Sequence, residues 1–114
     1  MPLNLKINEI ERNKFDLIIV EGTMILYDNK ILNTLDLKIY IDTRADERAV
    51  RYINAYSKYH GHDFIMNSYL DLVRYRMDEY VEPTKNNADL IVNGSLSLKK
   101  ALEVIKIYLQ TKIL

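Results

Sequence analysis

The chain contains no cysteine and no tryptophan, and only three glycines and two prolines. Lack of cysteine closes off disulfides, thiolate metal sites and cysteine nucleophiles together. The glycines stand far apart, at Gly22, Gly61 and Gly94, so the sequence has no Gly-x-x-x-x-Gly-Lys-Ser/Thr loop with which backbone amides cradle phosphates. Charge of one sign is also missing: 16 basic and 16 acidic side chains cancel, and no run of like charges stands out. Neither a nucleic acid nor an anionic membrane surface is therefore an expected partner. No apolar stretch approaches the roughly 18 residues needed to span a bilayer. The opening Met1–Lys6 lacks the basic and apolar regions of a signal peptide, so a cytoplasmic protein is expected.

What is present is an α/β pattern in a chain long enough for one domain, residues 1–114, with a single core. Phe15–Val20 is a nearly continuous apolar run ending in Glu21-Gly22, as in a strand buried on both faces. Leu35–Ile41 is β-branched and aromatic and halts at Asp42-Thr43, which predicts a second strand. Ala88–Val92 predicts a third. Between them, Thr43 and Asp46 fit a capping box for a helix that carries Val50, Ile53 and Ser57 on one face and ends near Tyr59. After Gly61, Met66, Tyr69, Leu70, Val73, Met77 and Tyr80 recur at helical spacing until Pro83, where the helix should stop. Either Ser95 or Ser97 can cap a last helix over 95–114 with Leu98, Leu102, Ile105 and Leu109 inward. Strands alternating with helices predict a three-layer fold around a parallel sheet of about three strands, with three to four helices. Leu3, Leu5 and Ile7 alternate as an edge strand would, yet the charged stretch after them fits a frayed helix equally.

Open parallel sheets bind ligands outside the carboxyl ends of their strands. That rule gathers Glu21-Gly22, Asp42-Thr43 and Asn93-Gly94 on one rim. A carboxylate there orients Mg²⁺ through water or acts as a base, and a neighbouring glycine lets a ligand approach the backbone. The plainer readings are a solvated strand end for Glu21 and a helix-start residue favoured by the macrodipole for Asp42. Arg48 and Arg51 lie one turn apart and can grip phosphate oxygens, although arginines on a solvated helix face are commoner. His60 and His62 flank Gly61 without an evident third ligand and read as loop surface, so no metal site is assigned. The nine tyrosines suit core and interface positions better than stacking on a base.

Phe15-Asp-Leu-Ile-Ile-Val-Glu-Gly22, Leu35-Asp-Leu-Lys-Ile-Tyr-Ile-Asp-Thr43 and Val81-Glu-Pro-Thr-Lys-Asn-Asn-Ala-Asp-Leu-Ile-Val92, in that order and spacing, resemble the C-terminal half of the uridine kinase family over about residues 15–94. The resemblance implies a P-loop kinase fold and transfer of the ATP γ-phosphoryl group to a nucleoside 5′-hydroxyl. It also implies that Glu21 sits near metal and phosphates as the catalytic carboxylate, that Arg48 and Arg51 are lid-helix arginines, and that Asn93-Gly94 lies near the nucleotide base. With Gly22 and Asp42 of the rim, these complete the expected nucleotide- and phosphate-binding set. The family's P-loop and acceptor-binding region have no counterpart here. Its later lid arginines fall at Ala55-Tyr56 and His60-Gly61-His62, and its glutamine before the tyrosine is Ser68. The family's P-loop strand lies between those matching Phe15–Val20 and Leu35–Ile41, so its absence leaves backbone edges to be covered. The isolated chain is accordingly expected to be inactive, with ATP and Mg²⁺ as cofactors only when a complementary P-loop-bearing chain completes it. The other expectation is a non-catalytic, homo-oligomeric protein derived from the same fold.

Overall fold

A computed structural model describes residues 16–113. The ambiguity over Leu3–Ile7, and Phe15 at the head of the first expected strand, lie outside the described residues. Two strands pair in parallel, β1 (Ile39–Asp42) and β2 (Leu90–Asn93), in the register Ile39 to Leu90 through Asp42 to Asn93. The parallel arrangement and both locations follow the sequence reading, each strand shifted towards its polar end. Asp89 fixes the register from outside: its carboxylate accepts from Lys38 N at 2.8 Å, and its own amide donates to Lys38 O at 2.8 Å.

The third expected strand does not form. Leu17, Ile18, Ile19 and Val20 carry no regular secondary structure and stand exposed, Ile19 at 80%. A strand is held by ladder hydrogen bonds to a neighbour, and among the described residues β1 pairs only with β2. The apolar run therefore has the composition of a buried strand and nothing to pair with. The chain next turns through residues 23–27, where Tyr27 N donates to Met24 O, into a short helix, α1 (Asn29–Leu32). Asp28 caps α1 by accepting from Lys30 N at 2.8 Å, a start signal the sequence reading passed over.

Helix α2 (Ala45–Tyr56) follows β1. The expected capping box is absent. Arg44 takes the N-cap position without a side-chain cap bond, Thr43 is buried beneath, and the Asp46 carboxylate accepts from the adjacent Glu47 N instead. The helix also ends three residues earlier than expected, and Val50 faces solvent.

From His62 the backbone stays helical to Asn87. It runs as α3 (His62–Ser68), a π stretch (Tyr69–Val73), α4 (Arg74–Arg76), a second π stretch (Met77–Val81) and a 3₁₀ turn (Glu82–Asn87). Pro83 does not end it, because it occupies the first turn of the 3₁₀ segment, where a missing N–H costs least. The inward residues are Ile65, Tyr69 and Val81, buried, with Val73 and Met77 half-buried. They recur every fourth position. At 3.6 residues per turn such a stripe drifts around an α-helix; the wider π turns offset that drift and keep it on one side. Leu70 and Tyr80, expected inward, face out for the same reason.

The core is thin. Leu26, Tyr40 and Val81 form it, with Met24, Ile25, Leu32, Leu35, Met77 and Ala88 packed around. Tyr52 links α2 to the long helical arm through ring contacts with Tyr56 at 4.7 Å and Tyr69 at 5.4 Å. The last helix, α5 (Lys99–Ile113), buries no residue, and Leu102, expected inward, is exposed. Ser97 rather than Ser95 meets its start, accepting from Lys99 N at 3.4 Å. With two strands, and with Ile41 and Ile91 both exposed on the sheet, the expected three-layer sandwich is not reached. The radius of gyration, 16.6 Å, exceeds the roughly 13 Å of a compact chain of this length.

Candidate functional site

The register places Asp42 and Asn93 side by side where the two strands end. The rim is built outward from that pair. Asn93 folds its side chain back, Oδ1 accepting from Ser95 N at 3.0 Å, which turns the chain out of β2. Gly94 N donates to Asp42 O at 2.7 Å and carries the pairing one residue further. Only glycine fits there: an added Cβ would press on Thr43 Oγ1 and sit 2.7 Å from Ile41 Cγ2. Gly94 has no positive φ, so close approach rather than backbone conformation requires it.

Helix α2 is tied to this rim at two points. Arg44 N donates to Ser95 Oγ at 3.1 Å, and Arg51 Nη2 donates to Gly94 O at 3.3 Å while pairing with Glu47 at 3.8 Å. Asp42, Arg44, Glu47, Asn93, Ser95 and Leu96 line an open cleft of about 490 Å³. Its charged lining is two carboxylates and one guanidinium.

Behind the rim lies a second polar cluster. Glu82 accepts from Tyr40 OH at 3.2 Å, from Arg48 Nη1 at 3.2 Å and from Lys85 Nζ at 2.6 Å. The Lys85 hydrogen bond, with help from Tyr40 and the Arg48 charge, holds the Glu82 carboxyl below its ordinary range despite burial. Burial pushes the Tyr40 phenol up, and the neighbouring Glu82 adds to it. The Glu82 contact raises Lys85 in turn. Arg48 Nε is buried with no hydrogen-bond partner, so the guanidinium is only partly satisfied.

The structure thus brings Asp42, Asn93, Gly94 and Arg51 together and turns Arg48 away onto Glu82. Glu21 and Gly22 stand exposed on the unpaired segment, and among the described residues no hydrogen bond or ion pair joins Glu21 to the rim. Sequence reasoning missed Ser95 and Arg44 as rim residues. The signal for Arg44 was its place directly after the strand end, whereas Ser95 was read only as a possible helix cap. His62 begins α3 beside Asp63, at 3.7 Å, rather than lying in a loop. Among the described residues no group of three His, Asp or Glu side chains is placed to hold a metal ion, and no helix is long and apolar enough to cross a membrane.

A parallel strand pair with helical connections and a polar rim at the strands' carboxyl ends makes this a small α/β domain consistent with the P-loop kinase-like class. The chain belongs to the Phosphoribulokinase / Uridine kinase family, whose model matches residues 4–99. It is similar to the uridine kinase of Staphylococcus epidermidis (strain ATCC 35984), 36% identical over 100 residues that make up 86% of this chain and 48% of that protein. The uridine kinase of Staphylococcus aureus (strain JH9) is 37% identical over the same shares. The chain spans about half the length of the curated relatives it matches.

Proposed function

We propose that this chain is one part of a uridine kinase-like phosphotransferase, phosphorylating a nucleoside from ATP only when a P-loop-bearing partner completes it. The observation that carries the reading is the unpaired apolar run Leu17–Val20 beside a two-stranded sheet, a segment with strand composition and no neighbour. An inserted strand would supply the ladder partner and cover both apolar faces. The rim then becomes the edge of a larger cleft. Asp42 and Glu21 are its carboxylates, Gly22 and Gly94 its points of close approach, Asn93 its amide, and Arg51 the cation nearest the strand ends.

The described residues do not fit ATP and Mg²⁺ by themselves. The sequence has no phosphate-cradling loop and no lysine within one, and Asn93 already spends its carbonyl oxygen on Ser95 N. Both ligands are assigned to the partner's side, and no step is derived through them here.

A second reading, a non-catalytic binding or assembly protein of the same descent, draws on one observation. Arg48 is engaged by Glu82 rather than free for phosphate.

The discriminating experiment mixes the purified chain with the part of the Staphylococcus aureus uridine kinase that it does not span, and follows ATP- and Mg²⁺-dependent phosphorylation of uridine. Activity in the mixture and none in either part alone supports the first reading. Robust activity of this chain alone overturns it, and so does inactivity of a mixture shown to form a complex, which leaves the second.

A further inference from the structure

We infer that α5 docks on the long helical arm, residues 62–81, of a second copy of this chain. The inference does not depend on the kinase reading. Helix α5 leaves a broad apolar surface uncovered, with Leu102, Ile107 and Tyr108 exposed and no residue buried. Around it stand Lys99, Lys100, Lys106 and Lys112 against Glu103 alone, a net charge of +3 in a chain that is neutral as a whole. A basic amphipathic helix needs an acidic, partly apolar surface.

The arm offers one. Its inner stripe faces α2 and the core, and its outer side carries Phe64, Leu72 and Tyr75, all exposed. Asp63, Asp71, Asp78 and Glu79 outnumber Arg74 and Arg76 there, a net charge of −2. Among the described residues Asp71, Asp78 and Glu79 form no ion pair, and neither do Lys99, Lys106 and Lys112. The spacing matches as well: Lys99 and Lys106 are separated by seven residues, as are Asp71 and Asp78. On a helix that is about two turns, roughly 10 Å. The arm, 20 residues from His62 to Val81, is longer than the 15-residue α5 and can receive its whole length. Exchange of α5 between two copies repeats the contact about a two-fold axis and covers both uncovered surfaces at once.

The test is the mass of the purified full chain in solution, by native mass spectrometry and sedimentation across protein and salt concentration. The wild type is expected to dimerise, more weakly as salt rises. Lys99→Glu with Lys106→Glu, and separately Asp71→Lys with Asp78→Lys, are each expected to weaken the dimer about tenfold or more. Combining all four changes is expected to restore it, which a mere folding defect would not do. A wild type that stays monomeric overturns the inference, as does a dimer indifferent to both reversals. Monomeric chain that binds anionic vesicles through α5 overturns it too, by assigning the surface to lipid.

Discussion

Two residues decide most of the local chemistry. At Gly94 the space for a side chain is already taken by Thr43 Oγ1 and by Ile41 Cγ2, both β-branched and stiff at χ1. Gly94→Ala is therefore expected to destabilise the chain by about 1–3 kcal/mol, as overpacking does, and to loosen the Arg51 contact that depends on the Gly94 carbonyl. Urea denaturation of the variant checks the first effect. Glu82 works the other way, as one carboxylate satisfying three donors. Its pKa is lower folded than unfolded. The stability it contributes is therefore fully present above its ordinary value near 4.5 and is lost as pH falls through the folded value. Glu82→Gln keeps the shape, removes the charge and leaves Arg48, whose Nε already has no partner, without its carboxylate. The expected cost is about 1–2 kcal/mol at neutral pH. The difference between wild type and variant should shrink as pH falls below about 4.5 when unfolding is followed by circular dichroism. A difference that stays constant with pH would show that the glutamate acts through packing and not charge. Glu82 was legible in the sequence only as part of the Glu-Pro-Thr-Lys segment; its partners come from β1, α2 and the 3₁₀ turn, and no local spacing announces such a meeting.

At the scale of elements, what was legible is what depends on near neighbours. Asp42 and Asn93 end their strands where polar residues interrupt apolar ones, and their parallel pairing follows from a helical connection between them. The expectations that failed each needed a partner supplied by the rest of the fold. Leu17–Val20 reads as a buried strand because its composition is that of one, but pairing is a property of two segments, and the second is missing among those described. The capping box at Thr43 and Asp46 failed because Gly94 and Ser95 claim that corner. Thr43 is buried against Gly94, and Ser95 takes the Arg44 amide. The helical arm shows the opposite case, an element correctly located whose facing was misjudged. A stripe at every fourth residue sits between helix periods, and the two π stretches settle which residues turn inward. Pro83 marks a change of winding rather than an end, which the rule for proline inside an α-helix does not cover but the rule for a first turn does.

Taken as a whole molecule, the chain has more apolar surface than it can bury. No side chain is fully enclosed, the core is a cluster around Leu26, Tyr40 and Val81, and two surfaces of opposite charge remain uncovered. Such a chain gains stability from anything that binds its folded form and not its unfolded one. Its melting temperature should therefore depend on what surrounds it, and the two proposed contacts leave different signatures. If α5 of one copy docks on the arm of another, the midpoint for the chain alone rises with its own concentration, and the rise disappears in the Lys99→Glu, Lys106→Glu variant. If an inserted strand completes the sheet beside Leu17–Val20, adding the complementary part of a uridine kinase raises the midpoint of that variant as well, since the strand contact does not involve α5. At a hundredfold excess of partner over its dissociation constant the gain is about 2.7 kcal/mol. At about 4–8 °C per kcal/mol for a domain of this size, that is a shift well within calorimetric reach. A variant whose midpoint is unmoved by the kinase part would remove the case for an inserted strand while leaving the docking of α5 to stand on its own concentration dependence.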